Sequence, residues 1–471
     1  RLQTLLGRYG LGTTSEEESY QWNQQDAILI TYGNSIQAPD QKPLSVLHRF
    51  LQNRLKGVFN TVHILPFFPY SSDDGFSIID YRRVNPRMGS WEHIRSIAGD
   101  FRLMADLVLN HVSRESEWFQ HYVRGVSPES DYFIEVDEDI DLSDVVRPRS
   151  TPLLTAVQTR HGKRHVWTTF SDDQIDMDFS NPDVLFEFVD ILLFYIAQGA
   201  RLIRLDAIAY LWKKLGTSCI HLPETHEVVK LLREVVDLVA PQVLLVTETN
   251  VPHEENISYF GQGDESHMVY QFSLPPLLVH ALRKGTSAYL REWAADLEAA
   301  PEGCTYMNFT ASHDGIGLRP AEGLLPPEDV DELVEGTRRR GGMVKTRRTQ
   351  DGRDKPYEMN ITYYDALRDP DNPDEDLDLA RYLCSQAVAM ELQGIPGVYI
   401  HNLFATRNDH ELYEETGETR SLNRSTLDAD DLDACLEDPD SRAGRTFRRY
   451  AHLLKVRRRT PAFHPDGPQE V

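Results

Sequence analysis

Seven side chains suited to acid–base and nucleophilic chemistry fall at or near the ends of apolar runs: Asp106, His111, Arg204, Asp206, Glu248, His313 and Asp314. The sharpest case is "ARLIRLDAIAY", residues 200–210, where an apolar run is interrupted by Arg204 and closed by Asp206. Side chains alternate across a strand, so Arg204 and Asp206 point to one face. Burying a carboxylate at a strand end is unfavourable unless it is paired or used. Two readings stand side by side: a structural Arg–Asp pair, or a nucleophilic aspartate whose pKa the guanidinium holds low. Glu248 follows the apolar "VLLV", surroundings that raise a carboxyl's pKa and suit a proton donor. Such a pair fits glycosyl transfer. One carboxylate attacks the anomeric carbon and the other protonates the leaving oxygen, at a separation of ~5–5.5 Å when configuration is retained. The bland alternative, a set of caps and surface ion pairs, does not explain why four strands deliver such groups together.

These residues need a scaffold that gathers strand ends. Strands are expected at residues 27–32, 61–65, 102–109, 200–206, 243–248, 268–272, 305–310 and 398–400. Helices are expected over 44–55, 91–97, 184–196, 224–239, 275–283, 289–299, 377–392 and 446–457. Ser180-Asn181-Pro182 is a helix start and Gly199 a helix stop. Eight alternating units without a glycine-rich dinucleotide fingerprint predict an α/β fold, a (β/α)₈ TIM barrel with its active site at the strand C-termini. The alternation breaks twice. The expected organisation is a first barrel part (1–112), a small inserted domain after strand 3 (113–179), a middle barrel part (180–315), a second insertion after strand 7 carrying an acceptor and phosphate loop (316–359), and the rest of the barrel with the start of a C-terminal region (360–471). The first twenty-odd residues read as helical and polar, with an acidic cluster at Glu16, Glu17 and Glu18, and the tail from residue 405 as polar and irregular.

The formal charge of −25 on 471 residues argues against nucleic acid or an anionic membrane as partner. Cys219, Cys304, Cys384 and Cys435 form no CxxC, which suggests neither zinc nor a disulfide framework and fits a cytoplasmic protein. The opening "RLQTLLGRYG" lacks the features of a signal peptide, and apolar runs such as residues 191–197 are too short to span a bilayer.

"DLVLNH" (106–111), "RLIRLDAIA" (201–209), "VTETN" (246–250) and "ASHDGIG" (311–317) resemble the four signature regions of the α-amylase family, glycoside hydrolase family thirteen, whose members are retaining enzymes on a (β/α)₈ barrel. The resemblance implies Asp206 as nucleophile, Glu248 as general acid/base and Asp314 as the third carboxylate. It places His111, His313 and Arg204 in the glucose subsite. "VHILPFFPYSSDDGFSIIDYRRV" (62–84), "RPR" (147–149), "DDQIDMDF" (172–179), "GTSCIHLPETH" (216–226), "FSLPPLLVHAL" (272–282) and "NITYYDAL" (360–367) are similar to the sucrose phosphorylase subfamily. That likeness implies that Asp73 and Arg424 clamp the far side of the glucose, that Phe76 stacks near the anomeric carbon and that Gln174 lines the pocket. It also implies phosphorolysis to α-glucose 1-phosphate, with inorganic phosphate as co-substrate and no metal or other cofactor.

A phosphate dianion beside a covalent glucosyl-Asp requires local cations. Arg147 and Arg149 are candidates, and the resemblance points to Arg149. Arg338, Arg339 and Arg340 read as a solvated face, whereas Arg347, Arg348, Arg353 and Lys355, with Asp351 and Asp354 among them, read as functional. Tyr357 matches a phosphate-contacting loop tyrosine of the subfamily. Lys355 stands where sucrose phosphorylases carry an aspartate for fructose, and Pro356 and Glu358 differ too, which points to an anionic acceptor. "SSDDGFSIIDY", "TETNVPH" and "GDESHMVYQFSLPPL" are most similar to the glucosylglycerate phosphorylases of the subfamily. The expected reaction is reversible phosphorolysis of 2-O-α-glucosylglycerate. The alternatives are sucrose, sucrose 6-phosphate or glucosylglycerol as donor, or a retaining α-glucosidase or transglucosidase. The resemblance also leads us to expect a small C-terminal β-domain beyond residue 471, and a homodimer is the working expectation for assembly.

Overall fold

Eight short parallel strands close on themselves in chain order: β1 (Ile28–Thr31), β2 (Thr61–Ile64), β3 (Arg102–Val108), β4 (Ala200–Asp206), β5 (Leu244–Thr247), β6 (Met268–Tyr270), β7 (Thr305–Phe309) and β8 (Ile395–Tyr399). β1 pairs with both β2 and β8, which completes the barrel. The computed structural model describes residues 1–10, 20–349 and 353–471. The acidic cluster Glu16, Glu17 and Glu18, and Asp351, lie outside the described residues. β1, β2, β5 and β7 are buried along their whole length, as expected for parallel strands covered on both faces.

The helix Pro182–Ala197 that leads into β4 starts as expected. Asn181 accepts a hydrogen bond from the Asp183 N–H at 2.9 Å, and Pro182 follows it in the first turn. Other boundaries move. The helix expected over 44–55 is α-helical only for Pro43–Phe50 and then widens to a π turn over Leu51–Leu55, which keeps Leu51 and Leu55 buried. β8 starts at Ile395, before the expected residue 398, and includes Pro396 and Gly397, residues that usually interrupt a strand. A Cβ at Gly397 would lie 2.4 Å from Met307, so the glycine permits a close approach within the barrel. The tail is not irregular. It holds helices His410–Thr416, Ala429–Glu437 and Arg442–Arg459, each started by a capping side chain from Asp409, Asp428 or Ser441. At the chain start, the described helix is short, Leu2–Arg8.

Both insertions lie at the C-terminal ends of the strands. After β3, His111–Ser113 pairs antiparallel with Gln174–Asp176, and the segment between them carries a helix, Glu117–Arg124, and a hairpin, Leu154–Thr159 with Gly162–Trp167. After β7, Ile316–Gly317 pairs with the second strand of a hairpin, Met343–Arg348 and Asp354–Asn360, which brings Glu358 opposite Gly317. Gly315 makes this approach possible: a Cβ there would meet Glu358 Cγ at 2.6 Å and Asn360 Nδ2 at 2.4 Å. Among the described residues no helix is long and apolar enough to cross a membrane.

Candidate active site

The register of the barrel sets the centre of the site. Asp106 on β3 lies opposite Arg204 on β4, and Val246 on β5 lies on Arg204's other side. The buried Arg204 guanidinium therefore serves three strands. Nη1 contacts Asp106 and lies 2.7 Å from Asp206 Oδ1, while Nη2 lies 3.8 Å from Glu248 Oε2. His63 Nε2 on β2 bonds Asp106 at 2.7 Å from behind. Burial opposes ionisation of Asp106, but His63 and Arg204 outweigh it and hold the carboxyl below its usual range.

Asp206 and Glu248 are joined through the backbone as well. Ala207, just after Asp206, takes a left-handed φ of 50°, and its N–H donates to Glu248 Oε2 at 3.0 Å. A non-glycine residue held in that region marks a constrained turn. Burial pushes both carboxyls up, Arg204 pulls both down, and the negative groups around them, with Asp314 acting on both, push them up again. The expectation that the guanidinium holds Asp206 low is therefore corrected. Desolvation outweighs the ion pair, and the two carboxyls titrate as a coupled pair. The charge belongs on Asp206, whose oxygen is directly bonded to the guanidinium, and the retained proton on Glu248.

His111, His313, Asp314, Asp73, Phe76 and Gln174 line the same pocket. Phe76 stacks on His313 with centroids 4.7 Å apart and planes 4° from parallel. His111 Nε2 lies 3.1 Å from the Phe76 carbonyl and from the Gln174 amide. Burial holds both histidines below their usual pKa, and for His313 the guanidiniums of Arg424, Arg204 and Arg420 add to it. Both are therefore neutral and able to share hydrogen bonds with sugar hydroxyls. Asp73 and Asp74 both have positive φ, and Gly75 turns at +120° where a Cβ would lie 2.5 Å from the Pro66 carbonyl oxygen.

On the outer side, Arg149 lies between two rings, 5.7 Å from the centroid of Phe170 and 5.5 Å from that of Tyr357. Tyr357 and Glu358 also line the pocket. Burial pushes the Tyr357 phenol up, so it stays a hydrogen-bond donor.

Residues 55–315 match the family described as alpha amylase, catalytic domain. The chain belongs to the α-amylase family. It is 51% identical over 476 residues to the glucosylglycerate phosphorylase of Allomeiothermus silvanus, an alignment covering 100% of this chain and 86% of that protein. It is 50% identical over 446 residues to the glucosylglycerate phosphorylase of Spirochaeta thermophila, covering 95% and 76%. Among solved structures, the sucrose 6F-phosphate phosphorylase from Thermoanaerobacter thermosaccharolyticum superposes with a TM-score of 0.83 at 27% identity, covering 95% of this chain and 89% of that one.

Four expected residues are not on the pocket wall: Arg204 sits behind it, 2.7 Å from Asp206 Oδ1, and Arg424, Lys355 and Arg347 lie elsewhere. Arg424 sits behind it, with Nη1 2.7 Å from Asp74 and 3.5 Å from Asp73, and Nε donating to the His313 carbonyl at 2.9 Å. The cation that lines the pocket on that side is Arg420, which the sequence reading missed. Its Nη1 lies 2.8 Å from Asp314, and Nε and Nη2 grip Glu358 at 3.1 and 2.8 Å. Lys355 is exposed on the hairpin, outside the pocket lining. Arg347 faces a neighbouring cleft and pairs with Glu322 at 2.8 Å. Glu358 lines the pocket as an ion-paired carboxylate: burial opposes its charge, but Arg420, Arg149 and Lys345 hold it well below the usual range. Arg420 was detectable only as the first member of "RSLNR", whose second arginine carried the resemblance. His63 and Tyr210 lie inside stretches that signalled a site but were not singled out, and nothing around Phe170 did so, although Phe170 and Tyr210 line the pocket and His63 supports Asp106.

Proposed function

We propose that this chain is a retaining glycoside phosphorylase that converts 2-O-α-glucosylglycerate and inorganic phosphate reversibly to α-glucose 1-phosphate and glycerate. The observation that carries this reading is the buried Asp206–Glu248 pair on one guanidinium, opening toward a wall that carries Arg149. The family membership and the likeness to glucosylglycerate phosphorylases over nearly the whole chain supply the substrate class.

In the first half-reaction, an Asp206 oxygen attacks C1 of the glucosyl unit while Glu248 gives its proton to the glycosidic oxygen, and glycerate leaves. Asp314 and the two neutral histidines hold the sugar hydroxyls. In the second, a phosphate oxygen attacks C1, the ester bond to Asp206 breaks, and Glu248 takes up the proton that phosphate gives up. Arg149 and the Tyr357 hydroxyl are the donors placed for the phosphate, since a guanidinium fork and a phenol match its oxygens. No step requires a metal ion or coenzyme. A cytoplasmic setting suits the four free cysteines, of which Cys384 and Cys435 are exposed.

The test supplies phosphate with glucosylglycerate, sucrose, sucrose 6-phosphate or glucosylglycerol and measures glucose 1-phosphate. Glucosylglycerate should give the highest kcat/KM. A better rate with another donor, or release of free glucose at the same rate with and without phosphate, would overturn the assignment.

A further inference from the structure

A second concave surface lies beside the pocket, between the inserted domain and the second insertion. It is a cleft of about 480 Å³ whose lining includes four arginines, Arg147, Arg319, Arg347 and Arg348, and no carboxylate among the described residues. On a chain of formal charge −25, that is a strong local reversal of sign. Three of the arginines have an acidic partner outside the lining: Arg319 with Glu255 at 3.1 Å, Arg347 with Glu322 at 2.8 Å and Arg348 with Asp354 at 3.2 Å. The hydrogen bond of the Arg147 guanidinium goes to the Thr151 carbonyl, a neutral acceptor. Burial and the facing charge of Arg348 push its pKa down. Arg347 Nε is buried with no hydrogen-bond partner among the described residues. Like charges brought together with unsatisfied donors are unfavourable unless an anion joins them.

The cleft and the pocket are neighbours. Arg147 lines the cleft and Arg149, two residues on, lines the pocket. Tyr210 stands on the pocket wall. Burial raises its pKa, and the charges of Arg319, Arg149 and Arg347 all act against that rise. One phenol therefore lies within the field of both groups of arginines.

We propose that the arginine cleft is a second oxyanion subsite, which holds inorganic phosphate beside the pocket before it replaces the departing acceptor. This rests on phosphate being a substrate, as set out above, but it concerns a site separate from the one where the glucosyl unit is attacked. Guanidinium forks match a tetrahedral oxyanion with several acceptor oxygens, and the cleft is wide enough for phosphate together with water.

Calorimetric titration of the full chain with inorganic phosphate alone tests this, since no turnover is needed. Two phosphates per chain are expected. Arg149→Gln should weaken one site and leave the other. Arg147→Gln combined with Arg348→Gln should weaken the second roughly tenfold or more, as expected on removing charged hydrogen bonds. The single Arg147→Gln variant, with near-ultraviolet dichroism as a check on folding, repeats the measurement with a smaller perturbation. A single phosphate in the unsubstituted chain, or an unchanged isotherm in both Arg147 variants, would overturn the proposal. So would glycerate displacing phosphate from the cleft at equal concentration, because the site would then select carboxylates. Failure of phosphorolysis with two phosphates still bound would sink the functional reading and with it the cleft's part in the exchange, and would leave only the oxyanion site itself standing.

Discussion

Glu358 and Arg420 are locked together by two hydrogen bonds of 3.1 and 2.8 Å, and the remaining nitrogen of that guanidinium reaches Asp314 at 2.8 Å. The pair ties the hairpin of the second insertion to the rim of the barrel. Glu358→Gln removes a charge from a buried ion pair and leaves Arg420 with fewer partners. Breaking such a pair costs about 3–5 kcal/mol, and the contact to Asp314 should keep the loss at the lower end of that range. Urea unfolding of the two proteins measures it. An unchanged midpoint would show that the tether contributes nothing.

The two carboxyls should separate by leaving group. Asp206→Asn should reduce kcat by roughly 10³-fold or more for every donor, since it removes the nucleophile. Glu248→Gln should cost about 10²–10⁴-fold with glucosylglycerate and much less with a glucosyl fluoride, whose leaving group needs no proton. Equal losses on both donors would assign Glu248 a different role.

The pH profile follows from the direction of each shift. Asp206 and Glu248 have folded pKa values above the ordinary 3.8 and 4.5. The folded protein therefore keeps a proton that the unfolded chain has released. Their contribution to stability is present at low pH and falls as pH climbs from those ordinary values through the raised ones. Glu358 has the opposite sign. Its contribution is present above its ordinary 4.5 and is lost as pH drops through its lowered value. Glu248→Gln should thus flatten the decline in unfolding free energy as pH rises above the ordinary 4.5, which denaturation across a pH series reads directly. In the unsubstituted enzyme, kcat/KM should be bell-shaped, its alkaline limb belonging to the coupled pair.

Arg149 and Lys355 differ in placement and should differ in effect. Arg149→Gln removes a cation from the pocket wall and should lower kcat/KM for phosphate roughly 10- to 100-fold, the scale of charged hydrogen bonds. Lys355→Ala alters an exposed side chain outside the pocket and should change it by less than about threefold. Comparable losses in both variants would mean that the hairpin folds over the acceptor during turnover.

Chelation offers a simple control on the chemistry. Dialysis against EDTA should leave the phosphorolysis rate unchanged, because every step is assigned to a carboxylate, an imidazole, a guanidinium or a phenol. A rate lost on dialysis and restored by a divalent cation would require a different mechanism.

The sequence by itself determined where the strands end and which reactive groups stand there. A parallel strand is a nearly continuous apolar run, so Arg204, Asp206 and Glu248 stood out against it, and the alternation of side chains put Arg204 and Asp206 on one face. It could not show which cation holds Asp314. Arg420 and Arg424 lie four residues apart on one short turn, and only the packed hairpin brings Glu358 to the first of them. The resemblance put Lys355 at the acceptor in place of an aspartate, whereas on the hairpin, opposite Arg347, its side chain is exposed and outside the pocket lining. Protonation was decided in space as well. The adjacent arginine suggested a low pKa for Asp206, but the burial of that carboxyl and the approach of Glu248 and Asp314 from other strands reverse the sign. Local pattern is fixed by neighbours along the chain, whereas desolvation and Coulomb interaction depend on neighbours through space.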